Sequence, residues 1–152
     1  CANFNSPGQI VISGSLAGVR KAMNLAKARG AKLVKELVVS GAFHSPLMEG
    51  AREKLRAALD AAPISDARIP VYANVSALPV RKAEEIRTLL DFQLTSPVRW
   101  EESVVQMIRD GATTFVEIGP GKVLQSLVKR IDGSVRVRGI ETIGDARQTV
   151  TA

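Results

Sequence analysis

The chain has 152 residues, 45% of them hydrophobic and 24% charged, a balance that argues against disorder and for a domain with a core of its own. No apolar run approaches the roughly 18 residues of a membrane span, and no signal-like leader opens the chain, so a cytoplasmic protein without membrane contact is expected. One cysteine (Cys1) and one histidine (His44) rule out an internal disulfide and a structural zinc site, and no metal or other cofactor is expected. The net charge of +6 suits an acidic or phosphate-bearing partner. Nucleic acid is disfavoured, because the cations are spread along helix faces and aromatics make up only 4%.

Cys1 stands where an initiator methionine would, and Asn3-Phe-Asn-Ser reads as a strand already under way, so the chain is expected to be a fragment. Gln9-Ile-Val-Ile12, after the turn-forming Ser6-Pro7-Gly8, reads as the second strand of a hairpin. A helix is predicted from Ser15, with Leu16, Val19, Met23 and Ala26 at helical spacing and Gly30 as its stop. Lys32-Leu-Val-Lys-Glu-Leu-Val-Val39 then returns as a strand. This order over residues 1–40 resembles the later part of a βαββαβ unit, an incomplete ferredoxin-like small subdomain.

Residues 41–152 read as part of a larger α/β unit with a parallel, hydrolase-like sheet. Ser45 can cap a helix with Pro46 at its first position, and Leu47, Ala51, Leu55, Ala58, Leu59 and Ala62 form its apolar stripe up to Pro63. Ile69–Ala73 is a predicted strand, and a helix from about Lys82 is predicted to bury Ile86, Leu89, Leu90 and Leu94. Ser96-Pro97 is placed as the cap of a helix carrying Trp100, Val104, Met107 and Ile108, closed by Gly111. Thr114–Ile118 is a strand, Gly119-Pro-Gly121 a tight turn, Lys122–Ile131 a helix burying Leu124, Leu127, Val128 and Ile131, and Val135–Ile140 a final strand.

Few residues could carry chemistry. His44 lies just before a helix start, whose partial positive charge disfavours an imidazolium and leaves a neutral ring able to act as a base. From position alone, a hydrogen-bonded junction histidine is the commoner outcome. Gln93 falls on the apolar stripe of its helix, where its side chain needs a partner, and its carbonyl lies in the last turn without an intrahelical donor. That carbonyl could orient a histidine, although from the residues alone an ordinary helix end leading into Thr95-Ser96-Pro97 is the favoured reading. Gly119-Pro-Gly121 could hold an anion at a helix N-terminus, but close backbone packing is the simpler reading. No Gly-x-Ser-x-Gly elbow occurs in these residues.

Taken together, Asn3-Phe-Asn-Ser-Pro-Gly-Gln-Ile-Val-Ile-Ser-Gly14, Gly41-Ala-Phe-His-Ser-Pro-Leu-Met48, Gln93-Leu-Thr-Ser-Pro-Val-Arg-Trp100 and Phe115-Val-Glu-Ile-Gly-Pro-Gly-Lys-Val-Leu124 resemble the malonyl-coenzyme A:acyl carrier protein transacylases. The resemblance covers nearly the whole chain but only the C-terminal half of a family member. It implies transfer of malonyl from malonyl-CoA to a serine, and then to the phosphopantetheine thiol of acyl carrier protein, in fatty acid or polyketide synthesis, with no cofactor. By resemblance, His44 is the base, and Gln93 supplies the main-chain carbonyl that takes the place of the Asp of a catalytic triad. Asn5 and Gln9 match positions lining the acyl and coenzyme A cleft. Phe43 matches the pattern of malonyl-selective members, where a ring crowds an α-methyl group. Lys32 and Lys35 are placed, from their charge, where coenzyme A phosphates could meet them.

The absent N-terminal half would hold the serine, an arginine for the malonyl carboxylate and a glutamine near the oxyanion hole, so the chain alone is expected to be inactive. A non-catalytic module binding coenzyme A or carrier protein, and an acyl hydrolase, are the alternatives.

Overall fold

The computed structural model of the chain describes residues 1–150, apart from the side chains of 148–150. Its first element is the expected hairpin. β1 (Asn3–Ser6) and β2 (Gln9–Val11) pair antiparallel, and Gly8 in the turn adopts φ 75°, a left-handed angle that carries no Cβ penalty in glycine. The ladder slips between Phe4 and Ser6, which leaves Asn5 as the extra residue of a bulge.

α1 (Leu16–Ala28) begins at Ser15, whose hydroxyl accepts from the Gly18 amide at 3.2 Å. It ends as predicted, with Gly30 N–H donating to Lys27 and Ala31 N–H to Ala26, both at 3.0 Å. The strand predicted over Lys32–Val39 does not form. That stretch has neither helix nor strand, and Leu33, Leu37, Val38 and Val39 are exposed. A strand is held by its ladder partner, and the described residues supply none here.

Pro46–Met48 make one 3₁₀ turn that runs directly into α2 (Glu49–Ala61). Ser45 is buried; its hydroxyl accepts from the Leu47 amide at 3.3 Å and donates to the Ala42 carbonyl at 2.7 Å. In place of the strand predicted over Ile69–Ala73, β3 (Val71–Tyr72) is two residues long and pairs antiparallel with an unanticipated β4 (Pro79–Val80). Pro70 and Pro79 have no N–H to give a ladder, which limits its length.

α3 (Ala83–Gln93) starts on Asp66, which accepts from the Ala83 amide at 2.9 Å and pairs with Lys82 at 2.7 Å. Ser96-Pro97 do not cap the next helix. Val98 instead joins the free edge of β1, donating to the Ala2 carbonyl at 2.8 Å and accepting from the Phe4 amide at 2.9 Å. An unpaired strand edge has amides and carbonyls to satisfy, and Val98 satisfies them. α4 (Trp100–Arg109) follows only after Arg99.

β5 (Thr114–Ile118), α5 (Val123–Ile131) and β6 (Arg136–Ile140) form a βαβ unit, its strands parallel in register from Thr114↔Arg136 to Ile118↔Ile140. The predicted α/β class is borne out. Val104, Val128 and Val135 form the buried centre, with Trp100, Ile108, Phe115, Ile131 and Val137 packed on it. Leu47, Leu90 and Leu124 sit on predicted apolar stripes but remain exposed. The buried residue of α3 is Asp91. A last helix, α6 (Ile143–Val150), was not anticipated; Thr142 and Asp145 cap it reciprocally.

The Gly119-Pro-Gly121 turn does not present an open anion site. The Glu117 carboxylate already accepts from the amides of Leu124 at 3.0 Å and Gln125 at 3.1 Å. Desolvation opposes its charge, yet these bonds hold its carboxyl below the usual range. Gly139, opposite Glu117 on β6, completes the packing, since a Cβ there would come within 2.5 Å of Gln125 Nε2.

No helix among the described residues is long and apolar enough to cross a membrane.

Candidate active site

His44 stands in the loop ahead of the Pro46–Met48 turn with a left-handed φ of 59°. A residue with a Cβ reaches that conformation only at a cost of about 1 kcal/mol or more, so the surroundings must hold it. Three contacts do. The His44 amide donates to the Leu94 carbonyl at 3.1 Å, the buried Ser45 ties the following residue back to Ala42, and the ring Nδ1 lies 3.0 Å from the Gln93 carbonyl oxygen.

The last contact fixes the chemistry of the ring. A carbonyl can only accept, so Nδ1 carries the proton, and Nε2 of the neutral ring is left with its lone pair as a proton acceptor. The Gln93 side-chain nitrogen is also 3.3 Å from Nδ1, but an amide N–H cannot donate to a protonated nitrogen. Its productive bond is to the Ser96 carbonyl at 3.1 Å. Gln93 thus acts twice, through a backbone oxygen on the histidine and through a side chain that braces the turn after α3. The partner its polar side chain needs is a backbone carbonyl three residues on.

The other predicted residues are spread more widely. Phe43 is exposed beside the histidine, and its ring lies against Gly41, where a Cβ would be in ordinary van der Waals contact with Phe43 Cε2 at 3.4 Å. Asn5 occupies the β1 bulge, next to Phe4, which pairs with Val98; bulges of this kind re-aim a side chain. Gln9 has Ser6 and Arg130 of α5 as partners, not the histidine. Lys32 and Lys35 are exposed along the unpaired 31–40 stretch and make no hydrogen bond or ion pair among the described residues.

The sequence reading missed the group that joins the two helices of the site. Asp91 of α3 is buried and accepts from Arg52 at 3.0 Å and 2.9 Å and from Arg56 at 2.8 Å, both on α2. The only signal was the i, i+4 spacing of two arginines on a helix, too common to single out. Hydrogen bonds from Arg52 and then Arg56 hold the Asp91 carboxyl down at about 2. A carboxyl that ionises more readily folded than unfolded stabilises fully above its unfolded value near pH 4, and that contribution is lost as pH falls through the folded value. It amounts to on the order of 2 kcal/mol. The urea midpoint of the parent chain should therefore fall between about pH 4 and pH 2 by more than that of Asp91→Asn, whose midpoint lacks this component. Equal slopes for the two proteins would contradict the assignment.

An imidazole with Nδ1 anchored, and with no partner for Nε2 among the described residues, can serve as a base for a hydroxyl or thiol, the part shared by enzymes of acyl transfer and acyl hydrolysis. The chain belongs to the acyl transferase domain family, whose model matches residues 1–148. It is 51% identical over 152 residues to the malonyl CoA-acyl carrier protein transacylase of Bacillus subtilis, covering 98% of this chain and 48% of the relative. Among solved structures it is similar to the acyl-carrier-protein-S-malonyltransferase of Bartonella henselae, with a TM-score of 0.94 and 37% identity over 99% of this chain and 48% of that one. It is also similar to a malonyl-transacylase solved in complex with its type II PKS acyl-carrier protein, with a TM-score of 0.93 and 37% identity over 99% and 48% of the two chains. The chain spans about half the length of the relatives it matches.

Proposed function

We propose that this chain supplies the general base of a site that moves a malonyl group from malonyl-CoA to the phosphopantetheine thiol of acyl carrier protein through an acyl-serine intermediate. The nucleophilic serine belongs to the part of the enzyme that this chain does not span, as does the arginine for the malonyl carboxylate. The observation that carries this reading is the Nδ1 contact of His44 with the Gln93 carbonyl at 3.0 Å, in a chain 51% identical to a malonyl transacylase over 98% of its length.

In this scheme His44 Nε2 takes the serine hydroxyl proton while the serine oxygen attacks the malonyl thioester carbon. The C–S bond breaks, and the coenzyme A sulfur leaves with the proton from the imidazolium. The second half runs in the same way. The carrier-protein thiol gives its proton to Nε2 and attacks the acyl-serine, and the serine oxygen recovers a proton as it leaves. The Gln93 carbonyl keeps Nδ1–H aligned through both halves and stabilises the imidazolium by a charge-assisted bond. Phe43 selects against an α-methyl on the acyl group, and Asn5 and Gln9 line the cleft, with Lys32 and Lys35 toward the coenzyme A phosphates. Residues 1–40 belong to a ferredoxin-like small subdomain and residues 41–152 to the hydrolase-like large one. The reaction is cytoplasmic and needs no cofactor.

A chimera tests this. The segment of the Bacillus subtilis relative that matches this chain is replaced by the chain itself, and malonyl transfer from malonyl-CoA to acyl carrier protein is followed. Steady transfer, with little release of free malonate, is the expected result. A folded chimera that hydrolyses malonyl-CoA without transfer, or does neither, would overturn the reading.

A further inference from the structure

The contact between His44 and the Gln93 carbonyl bridges two helices. His44 leads into α2, Gln93 is the last residue of α3, and 49 positions separate them. Any sliding or rotation of one helix against the other would break a contact of 3.0 Å, so something must fix their register. Apolar packing supplies part of this through the half-buried Leu55 and Leu59 of α2 and Ile86 and Leu89 of α3, but such contacts are non-directional, and the one buried residue of α3 is Asp91.

We propose that Asp91, held in a two-pronged grip by Arg52 and steadied by Arg56, is a positioning residue that sets the register of α3 on α2 and thereby keeps His44 Nδ1 on the Gln93 carbonyl. This rests on the reading of His44 as the base. Arg52 donates through Nε to Oδ1 and through a terminal nitrogen to Oδ2, and a planar fork on a planar carboxylate fixes angle as well as distance. Its remaining terminal nitrogen reaches Glu49 at 3.1 Å, which anchors the same guanidinium to the first turn of α2. The guanidinium also lies 4.9 Å from the centre of the Phe92 ring, one residue before Gln93.

Exposed ion pairs seldom fix anything. Here the side chains of Arg52 and Asp91 are only 16% and 12% exposed, and a buried pair of this kind contributes geometric specificity more than net stability. The cluster sits two residues before Gln93, whereas nothing in the proposed chemistry requires Asp91 to touch substrate.

The chain has a single histidine, so its ring nitrogens are observed without ambiguity by ¹⁵N NMR on the chain alone. In the parent, Nδ1 is expected to be protonated and slow to exchange. In Asp91→Asn, with the fold retained by circular dichroism, Nδ1–H exchange should speed up about five- to tenfold, as expected for loss of one ordinary hydrogen bond, and the two tautomers should begin to average. Asp91→Glu should restore the parent pattern. Should Asp91→Asn fail to fold, Arg52→Lys decides, since it keeps the charge but not the fork; its Nδ1–H should exchange measurably faster than in the parent.

In the chimera, Asp91→Asn should lower kcat about tenfold with KM for malonyl-CoA unchanged, because only the alignment of the base is affected. Folded variants with parent-like nitrogen shifts and exchange would overturn the proposal. A chimera without transferase activity in any form would count against the transferase reading alone and leave the nitrogen measurement to judge the register.

Discussion

Replacing His44 by Ala in the chimera is expected to lower kcat about 10²- to 10⁴-fold, the range supplied by a positioned general base, with little change in KM for malonyl-CoA. The imidazole has Nδ1 anchored on the Gln93 carbonyl, and in the proposed reaction Nε2 is the group that would move protons in both halves. In that scheme it is not needed to bind the acyl donor. The loss should not come from unfolding. Removing the ring forfeits one hydrogen bond of about 1 kcal/mol, and the left-handed backbone at position 44 remains held by the Leu94 carbonyl and by Ser45. A melting temperature lowered by no more than about 2–4 °C with a collapsed kcat is therefore the expected pair of results. A kcat within threefold of the parent's would remove His44 from the chemistry.

The largest effect on stability is expected at Trp100. Its ring packs on the centre formed by Val104, Val128 and Val135. Trp100→Ala removes the largest side chain of that cluster and leaves a cavity that valines and isoleucines on rigid elements cannot close. Because the residue is half-buried, the cost should lie near the lower end of the usual range, about 3 kcal/mol. For a domain of this size that corresponds to a fall in Tm of roughly 6–12 °C. Urea unfolding followed by far-ultraviolet circular dichroism measures it, and a loss below about 1 kcal/mol would show that the core is centred elsewhere.

The elements that the sequence made legible are those with self-contained signals. Ser15 and Gly30 bound α1 because capping and left-handed termination are local properties. β5, α5 and β6 are recognisable because the hydrophobic period changes from two to 3.6 and back around Gly119-Pro-Gly121. The elements that were misread depend on distant partners. Lys32–Val39 has a strand's composition, but composition does not supply a ladder. Ser96-Pro97 has a cap's composition, yet the free edge of β1 drew Val98 into pairing instead.

The same distinction runs through the site. His44 and the Gln93 carbonyl could be paired only because their motifs resembled a family; the spacing of 49 residues says nothing by itself. Asp91 was invisible because a carboxylate on a helix is ordinarily a solvated group, and only the fold brings it under Arg52 and Arg56. The bulge at Asn5 likewise arises from pairing register, which no run of side chains displays.

The most direct measurement is the ¹⁵N spectrum of the lone histidine in the unmodified chain near neutral pH. A proton on Nδ1, bonded to the Gln93 carbonyl, with Nε2 unprotonated, is the expected result. The reverse tautomer, with the proton on Nε2, would leave that nitrogen unable to accept a proton and would contradict the role proposed for His44.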